Sequence, residues 1–266
     1  MSTEPAQSVE RPSPARMYDY FLHGTNNYPV DRAAAEAVIG RVGQTLTRDV
    51  VWENRRFLGR AVRHLAEDCG IRQFIDVGAG LPSQENTHHV ARRAVAQPRV
   101  IYVDNDPAVA EHGKRLLTED ERANTGIFTA DLRDPGSILD HPDTKSLIDF
   151  SQPVGVLFIA VFHFIRDSED PKGIIRAFRD RMAPGSYLAL SHLCVEGGPD
   201  EERRMMEDSY RNATAPMVYR TAAQIADLFE GFELVAPGLV PTGRWRQDDP
   251  DATSTDRMYA GVARKL

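Results

Sequence analysis

The chain has 266 residues, 41% of them hydrophobic, which suits one folded domain with additions or at most two domains. Its 39 acidic residues outnumber its 32 basic residues, and the net charge of −7 argues against a protein that binds nucleic-acid backbones through a basic face. The two cysteines do not have the spacing of a metal-binding or redox motif. No apolar run reaches the ~20 residues that cross a bilayer, and no signal peptide is recognisable. A cytoplasmic protein outside the membrane is therefore expected.

The first part of the chain predicts a tail followed by helices. Residues 1–14 are rich in Pro, Ser and Glu and predict a disordered tail. Residues 15–70 predict a cap, or lid, of three helices. In the longest of these helices, Thr47 is the expected N-cap and Gly70 the C-terminal stop.

From residue 71 onwards, strands and helices alternate. Five largely apolar strands are predicted, over residues 73–77, 99–104, 125–130, 154–160 and 186–193. The helices between them are predicted over residues 85–96, 107–117, 136–140 and 171–182. This alternation indicates a parallel sheet covered on both faces. After a helix capped by Thr221, two last strands with no helix between them are expected to pair antiparallel.

A short glycine loop, Gly78-Ala79-Gly80, follows the first of these strands and precedes a helix, as nucleotide-binding loops do. Glycine allows unusual backbone angles and lets a ligand approach the main chain. The dinucleotide fingerprint requires a third glycine or alanine at position 83, where this chain has Ser83. The loop is therefore interpreted as a nucleotide-binding loop, with a plain tight turn as the alternative.

An acidic residue ends the second strand. Asp104 lies 24 positions after Gly80 (104 − 80), the spacing at which a carboxylate can accept both ribose hydroxyls of an adenosine ligand. This feature is shared by NAD enzymes and adenosyl-binding enzymes. The alternative is that Asp104 caps the following helix, a role for which Asp106 is better placed.

A further acid at the end of the third strand favours one ligand class. The Asp131 carboxylate is predicted to accept the adenine amino group while the Leu132 N–H contacts a ring nitrogen; a plain loop acid is the alternative. Together with Asp76 and Asp104, Asp131 predicts an electronegative cleft. Such a field suits a sulfonium and an α-ammonium group better than a pyrophosphate, so the predicted ligand is S-adenosylmethionine.

The stretches "DVGAG", "VDNDP" and "ADLRD" resemble the first three motifs of class I S-adenosylmethionine-dependent methyltransferases, over residues 71–266. More narrowly, "PARMYDYFLHGTNNYPVDR", "GLPSQENTHHVA" and "MYAGVARKL" are similar to the S-adenosyl methyltransferase family once catalogued as a domain of unknown function. The resemblance implies a Rossmann-like α/β fold with a seven-stranded, mostly parallel sheet, helices on both faces, a reversed C-terminal strand hairpin and an N-terminal helical cap. The chain departs from the usual class I loop at Pro82, where that loop has glycine.

The residues and the resemblance together assign the cofactor contacts. These residues belong to the loop and to the ends of the first four strands: Asp76, Gly78, Ala79, Gly80, Asp104, Asn105, Asp131, Leu132 and Ala160.

In class I enzymes the residues after the fourth strand border the reactive methyl group, and the resemblance therefore places Ala160 and His163 beside it. His163 is the predicted base, because an imidazole can accept a proton near neutral pH. The alternative is a hydrogen-bonded histidine beneath the next helix. His88 and His89 are neighbours at the start of a helix and are expected to point in different directions, so no metal site is predicted.

Acceptor contacts are expected from the parts added to the core, with Tyr18, His23 and Asn26 in the N-terminal block and Trp245 in a C-terminal loop. Signatures of nucleic-acid methylation, a Pro-Pro-aromatic or a Pro-Cys sequence, are absent. The predicted activity is methyl transfer from S-adenosylmethionine to a small molecule, with S-adenosylhomocysteine as product. The alternatives are a non-catalytic adenosyl-binding protein and an NAD-dependent oxidoreductase, and the oligomeric state is left open.

Overall fold

The central feature of the fold is one mixed sheet, which a computed structural model describes together with the rest of residues 11–81, 86–211, 213, 215–249 and 252–266. The strands are β1 (Gln73–Val77), β2 (Arg99–Asp104), β3 (Thr125–Thr129), β4 (Gly155–Ile159), β5 (Tyr187–Leu193), β6 (Glu233–Leu234), β7 (Val240–Pro241) and β8 (Met258–Arg264). Their order is β3-β2-β1-β4-β5-β8-β6, with β7 also paired to β8. The five predicted strands are confirmed, and β1 to β5 are parallel.

The helices follow the predicted order with some differences. They are α1 (Pro14–Phe21), α2 (Pro29–Val42), α3 (Val50–Glu67), α4 (Thr87–Arg92), α5 (Pro107–Leu116), α6 (Glu119–Arg122), α7 (Pro135–Leu139), α8 (Pro142–Leu147), α9 (Pro171–Arg181), α10 (Asp200–Ser209) and α11 (Ala222–Ala226). Thr221 caps α11 as predicted, since its side chain accepts from the Gln224 N–H. Thr47 is not an N-cap: it lies inside a π-helical turn that leads into α3, and its hydroxyl donates to the Gly43 carbonyl.

Both faces of the sheet are covered, because alternate strand residues point to opposite sides. On one face, Ile75, Val156 and Leu188 pack in a core cluster with residues of α7 and α9. On the other face, Phe74 and Leu157 pack in a second cluster with α3, α4 and α5. The β1–β4 strand ends therefore stand between two rigid layers, which fixes the positions of the residues that follow them.

The C-terminal strands form the predicted antiparallel edge. Strand β8 runs antiparallel to β5, with Leu190 opposite Gly261, and antiparallel to β6, with Leu234 opposite Ala263. The sixth strand is interrupted after Leu234, so the sheet has eight strands by count rather than seven. The interruption contains a turn in which the Gly238 N–H donates to the Val235 carbonyl (2.8 Å), and Pro237 within it has no N–H to donate to a neighbouring strand.

The N-terminal helices pack in two different places. Helix α3 contributes Phe57 and Leu65 to the cluster beneath the sheet. Helices α1 and α2 instead share a third cluster with Leu193 and α10, in which Met17 and Val38 are buried. Of the predicted tail, residues 1–10 lie outside the described residues, and α1 already begins at Pro14. No helix of the described residues is long and apolar enough to cross a membrane.

Trp245 belongs to the core, contrary to the expectation that it contacts the acceptor. Its side chain is 0% exposed and packs edge-on against Phe57 of α3, with ring centroids 5.4 Å apart. Arg60 of α3 donates to the carbonyls of Trp245 (2.7 Å) and Thr242 (2.6 Å). The loop that carries Trp245 is thus folded under α3, and the sequence did not reveal this because a loop tryptophan can equally pack inward.

We expect Trp245→Ala to lower the free energy of unfolding by about 3–5 kcal/mol, the usual cost of emptying a buried aromatic site. Trp52→Ala, which removes a half-buried tryptophan of the same helix layer, is the matched control and should cost less. Denaturant unfolding followed by far-ultraviolet circular dichroism measures both variants. Equal losses for the two would contradict the buried position of Trp245.

Candidate functional site

A cavity opens at the carboxyl ends of β1, β2, β3 and β4, where ligands bind in open α/β sheets. All of the residues predicted to contact a cofactor line this cavity: Asp76, Gly78, Ala79, Gly80, Asp104, Asn105, Asp131, Leu132 and Ala160. The topology brings them together because parallel neighbouring strands end at the same edge. Tyr18 of α1 also lines the cavity.

The glycine loop needs its two glycines for different reasons. Gly78 and Gly80 both have positive φ, 73° and 65°, which side chains other than glycine adopt at a cost. A Cβ on Gly78 would lie 2.4 Å from Val161 Cγ2, whereas a Cβ on Gly80 would meet no atom of the described residues within 4 Å. Gly80 thus presents bare main chain to the cavity. The predicted departures at Pro82 and Ser83 lie outside the described residues.

Asp104 lies at the centre of this edge. Its Oδ2 accepts from the Gly80 N–H (2.9 Å) and its Oδ1 from the Asp106 N–H (2.9 Å). Burial is the main cause that raises the pKa of Asp104 to about 6. Asp106 caps α5 by accepting from the Ala108 N–H (3.0 Å), so the capping role falls to Asp106 as the sequence indicated. Each Asp104 oxygen retains a lone pair that can accept a ligand hydroxyl.

A second buried acid, Asp76, lies at the end of β1. It accepts from the Thr87 hydroxyl of α4 (2.7 Å), which links the strand to the helix beyond the glycine loop. Burial raises the pKa of Asp76 to about 6 as well. Two carboxylates with raised pKa values on one cavity wall are typical of a functional site.

Asp131 has a partner that sequence reasoning missed. Arg133 donates to both Asp131 carboxylate oxygens at 3.2 Å and to Glu169 at 2.6 Å. The positive charge of Arg133 therefore makes the cavity less electronegative than the three acidic residues alone had predicted. The signal was present in the sequence, because Arg133 follows Asp131 by two residues at the same strand end.

Ala160, where β4 ends, is held by a chain of hydrogen bonds. It adopts the left-handed conformation (φ 56°), which is uncommon for alanine. Its N–H donates to the Ser191 hydroxyl (2.9 Å), which donates to Asn54 Oδ1 (2.6 Å). The Asn54 amide donates to the Tyr18 hydroxyl (2.9 Å). This chain joins β4, β5, α3 and α1 at one point of the cavity.

Asn54 and Ser191 were not predicted from the sequence. Ser191 is a polar residue in a largely apolar strand, but Asn54 lies between charged residues in the sequence, and only the structure shows that both are buried. They are 137 residues apart, so no local spacing connects them.

Helix α1 forms one wall of the cavity and is tied down by buried charges. Arg16 Nε donates to Asp31 of α2 (2.8 Å), and Arg16 Nη1 donates to Asp106, the cap of α5 (2.5 Å). Breaking a buried ion pair leaves an uncompensated charge and is costly. The attachment of α1 to the rim of the cavity is therefore strong.

The structure does not bring His163 to the wall of the cavity. The residue is 4% exposed and packs against His192 and Phe164, with ring centroids 5.7 Å and 4.4 Å away. Burial, with His192 and Arg220 nearby, lowers the pKa of His163 well below its usual range. The geometry disfavours the role of a base, but it does not show the hydrogen-bonded histidine of the alternative either, because His163 Nδ1 is buried without a hydrogen-bond partner among the described residues.

His23 and Asn26 are also displaced from the site. Both lie in the turn after α1, which Asp19 organises by accepting from the Asn26 N–H (2.9 Å) and the Asn27 side-chain amide (2.8 Å). Neither residue lines the cavity. Of the predicted acceptor contacts, only Tyr18 does, and its hydroxyl is engaged by Asn54 and by the Val51 carbonyl.

The expectation that His88 and His89 point in different directions is wrong. Their ring centroids are 4.0 Å apart, and the Nε2 atoms of both residues approach the same carboxylate, that of Glu121. Both rings therefore turn towards α6, which carries this carboxylate. Because α6 is distant in the sequence, the local spacing of His88 and His89 did not reveal this shared partner.

The cavity fits an adenosyl ligand. Asp104 offers acceptors at a strand end for ribose hydroxyls, Gly80 leaves space above its main chain, and buried Leu132 adds an apolar surface. Asp76 and Asp104 together would balance a cationic ligand when ionised.

The sequence model of the S-adenosyl methyltransferase family matches residues 2–266 of the chain. A candidate methyltransferase from Thermobifida fusca YX has a similar crystal structure, with 39% identity, a TM-score of 0.90 and 99% coverage of both chains. A DUF574-family protein from Streptomyces avermitilis MA-4680 is 38% identical, with a TM-score of 0.90 over 97% of this chain and 99% of that one.

A more distant structure has the same fold. Human N-acetylserotonin methyltransferase, crystallised with S-adenosylmethionine, is 14% identical, with a TM-score of 0.50 over 96% of this chain and 63% of that one. No curated protein matches the chain.

We expect Gly78→Ala and Gly80→Ala to differ in stability, although both add a side chain at positive φ at a cost of roughly 1 kcal/mol or more. Gly78→Ala should lose more free energy of unfolding, because its Cβ meets Val161. Gly80→Ala should stay folded and lose ligand affinity. Denaturant unfolding and calorimetry measure the two effects, and equal destabilisation would show that the loop is not packed as described.

Proposed function

Because the chain belongs to the S-adenosyl methyltransferase family, we propose that it transfers a methyl group from S-adenosylmethionine to a small-molecule acceptor. The observation that carries this proposal is the convergence on one cavity of the glycine loop, the Asp104 carboxylate and the strand-end residues Asp131, Leu132 and Ala160. Family membership also removes the reason to consider an NAD-dependent oxidoreductase.

Each part of the cavity has a proposed task. Asp104 accepts the ribose hydroxyls, Asp131 and the Leu132 N–H contact the adenine, and the Gly78–Gly80 main chain lies along the rest of the ligand. The ligand supplies a methyl group on a sulfonium sulfur, which needs no acid to leave. Asp76 and Asp104, when ionised, favour binding of a positively charged ligand.

The protein's main contribution to the reaction would be positioning. In-line displacement requires the acceptor atom at ~3–3.5 Å from the methyl carbon, aligned with the leaving sulfur. The hydrogen-bond chain through Ala160, Ser191 and Asn54 makes the wall beside β4 rigid. Helix α1 lines one wall of the cavity and is held in place by Arg16, which supports the proposed lid and a small acceptor.

None of the described residues that line the cavity is a histidine or a cysteine. We therefore propose an acceptor whose nucleophilic atom is already unprotonated at the working pH, such as the nitrogen of a neutral amine, so that neither an imidazole nor a thiolate base is required. The same observation keeps a second candidate open, a protein that binds the adenosyl ligand without catalysis.

The activity is tested with methyl-labelled S-adenosylmethionine and a panel of small amino metabolites, with hydroxylated metabolites as the comparison set. Acceptor-dependent formation of S-adenosylhomocysteine by the wild-type chain, and its loss in Asp104→Asn, would support the transferase. Tight binding of the ligand with no turnover on any acceptor would favour the non-catalytic candidate.

We expect Asp104→Asn to weaken binding of S-adenosylhomocysteine by ~1.5–3 kcal/mol, the range for hydrogen bonds to a charged group. The matched control is Asp120→Asn, the same change at an exposed residue that does not line the cavity, and it should leave the affinity unchanged. Isothermal calorimetry measures both variants. An unchanged affinity for Asp104→Asn would contradict the ribose assignment.

The same ligand should bind more weakly in acid. The pKa of Asp104 and that of Asp76 are raised to about 6, so both carboxyls become neutral as the pH falls through that value. A neutral carboxyl is a weaker acceptor, and the affinity should fall by up to about tenfold per pH unit for each group that ionises on binding. Calorimetry between pH 7.5 and 5 tests this, and Asp104→Asn should show a shallower pH dependence.

A further inference from the structure

We propose that His88, His89 and Glu121 form a binding site for a divalent transition-metal ion of the Zn²⁺ type. The three residues lie on the first turn of α4 and on α6. None of them lines the cofactor cavity, but all three line a neighbouring cavity that shares Asp76, Ala79 and Gly80 with it. The proposal is independent of the proposed function.

The distances between the candidate ligand atoms suit a small metal ion. His88 Nε2 lies 3.5 Å from Glu121 Oε1, and His89 Nε2 lies 3.3 Å from the same oxygen. All three ligand atoms lie within 4.8 Å of one another. Zinc bonds of about 2.0–2.1 Å in tetrahedral geometry separate neighbouring ligand atoms by about 3.3 Å. Both nitrogen–oxygen separations therefore match those expected around a bound zinc ion.

His88 carries the observation that points most directly to a ligand. The residue is 5% exposed, and its Nδ1 lies 2.7 Å from the Tyr102 hydroxyl. Its Nε2 is buried and has no hydrogen-bond partner within the described part of the chain. A buried polar atom without a partner costs free energy. Metal-bound histidines use one nitrogen for the metal and hold the other in a hydrogen bond, as His88 does with Tyr102.

Glu121 is positioned by its own helix. Its Oε2 accepts from the Thr118 N–H (2.9 Å) and the Thr118 hydroxyl (2.9 Å), which makes a capping box at the start of α6. The second oxygen, Oε1, is thereby directed to the two histidines. The carboxylate would act as an ordered ligand, because the capping box restrains its side chain.

The ligand set indicates the class of metal. Two imidazoles and one carboxylate suit zinc and its neighbours in the first transition series, whereas magnesium and calcium prefer oxygen ligands alone. Arg92 Nη1 lies 3.8 Å from Glu121 Oε1, but its side chain is 43% exposed and can turn into solvent. The fourth position is then open to water.

The site would stabilise α4 next to the cofactor cavity. His88 and His89 follow Thr87, whose hydroxyl donates to Asp76 on the cavity wall. A metal ion that joins α4 to α6 would restrain this turn. We therefore expect zinc to raise the melting temperature of the protein, since it binds the folded chain.

The test is calorimetric titration of ZnCl₂ into the tag-free, chelator-treated full chain. We expect one zinc ion per chain. In His89→Ala the zinc affinity should fall by more than about tenfold, because loss of a metal ligand should weaken binding at least as much as loss of a hydrogen bond that supports a ligand. The His89 side chain is 46% exposed, so this variant should fold. His112→Ala, outside the three-residue cluster, is the control and should bind zinc as the wild type does.

Cobalt substitution gives a second readout, because tetrahedral Co²⁺ absorbs visible light strongly and octahedral Co²⁺ weakly. Strong absorption in the wild-type chain that disappears in His89→Ala supports the site. The proposal is overturned if the wild-type chain binds no zinc, or if wild type and His89→Ala bind it equally.

Discussion

Three main-chain amides attach the glycine loop to β2, and the geometry of the cavity depends on this attachment. The Gly78 and Ala79 N–H groups donate to the Val103 carbonyl (2.8 and 3.1 Å), and the Gly80 N–H donates to the Asp104 carboxylate (2.9 Å). These bonds place the loop beside Asp104 before any ligand arrives. A preorganised site loses less entropy on binding, which is the physical value of the arrangement.

This arrangement has a cost in stability. Asp76 and Asp104 are buried carboxylates with raised pKa values, and burying a charge is unfavourable unless hydrogen bonds offset it. Because folding raises these pKa values, the two carboxyls contribute to stability at low pH, and this contribution is lost as the pH rises through about 6. At neutral pH, therefore, the packing around the two residues must stabilise the folded state. The two core clusters on either side of the sheet supply that packing.

The sequence predicted what depends on continuous local patterns. The five parallel strands are largely apolar runs, and the positions of Asp104 and Asp131 follow from where those runs end. It missed α6 and α8, which have four and six residues and are too short to show a helical period.

The direction of side chains and their contacts with residues far along the chain could not be predicted from the sequence. Trp245 and His163 turn into the core, and His88 and His89 turn to the same side, because of packing with residues far along the chain. The Asn54–Ser191 pair likewise requires the folded sheet to bring α3 and β5 together. Residue type suggested the chemistry of these groups, but only tertiary structure decides which surface they face.

The most direct test of the account is a parallel calorimetric titration of the purified chain with S-adenosylhomocysteine and with NAD. We predict that S-adenosylhomocysteine binds with one site per chain and that NAD gives no binding heat. Binding of NAD alone, or no binding of S-adenosylhomocysteine, would contradict the assignment of this cavity to an adenosyl ligand.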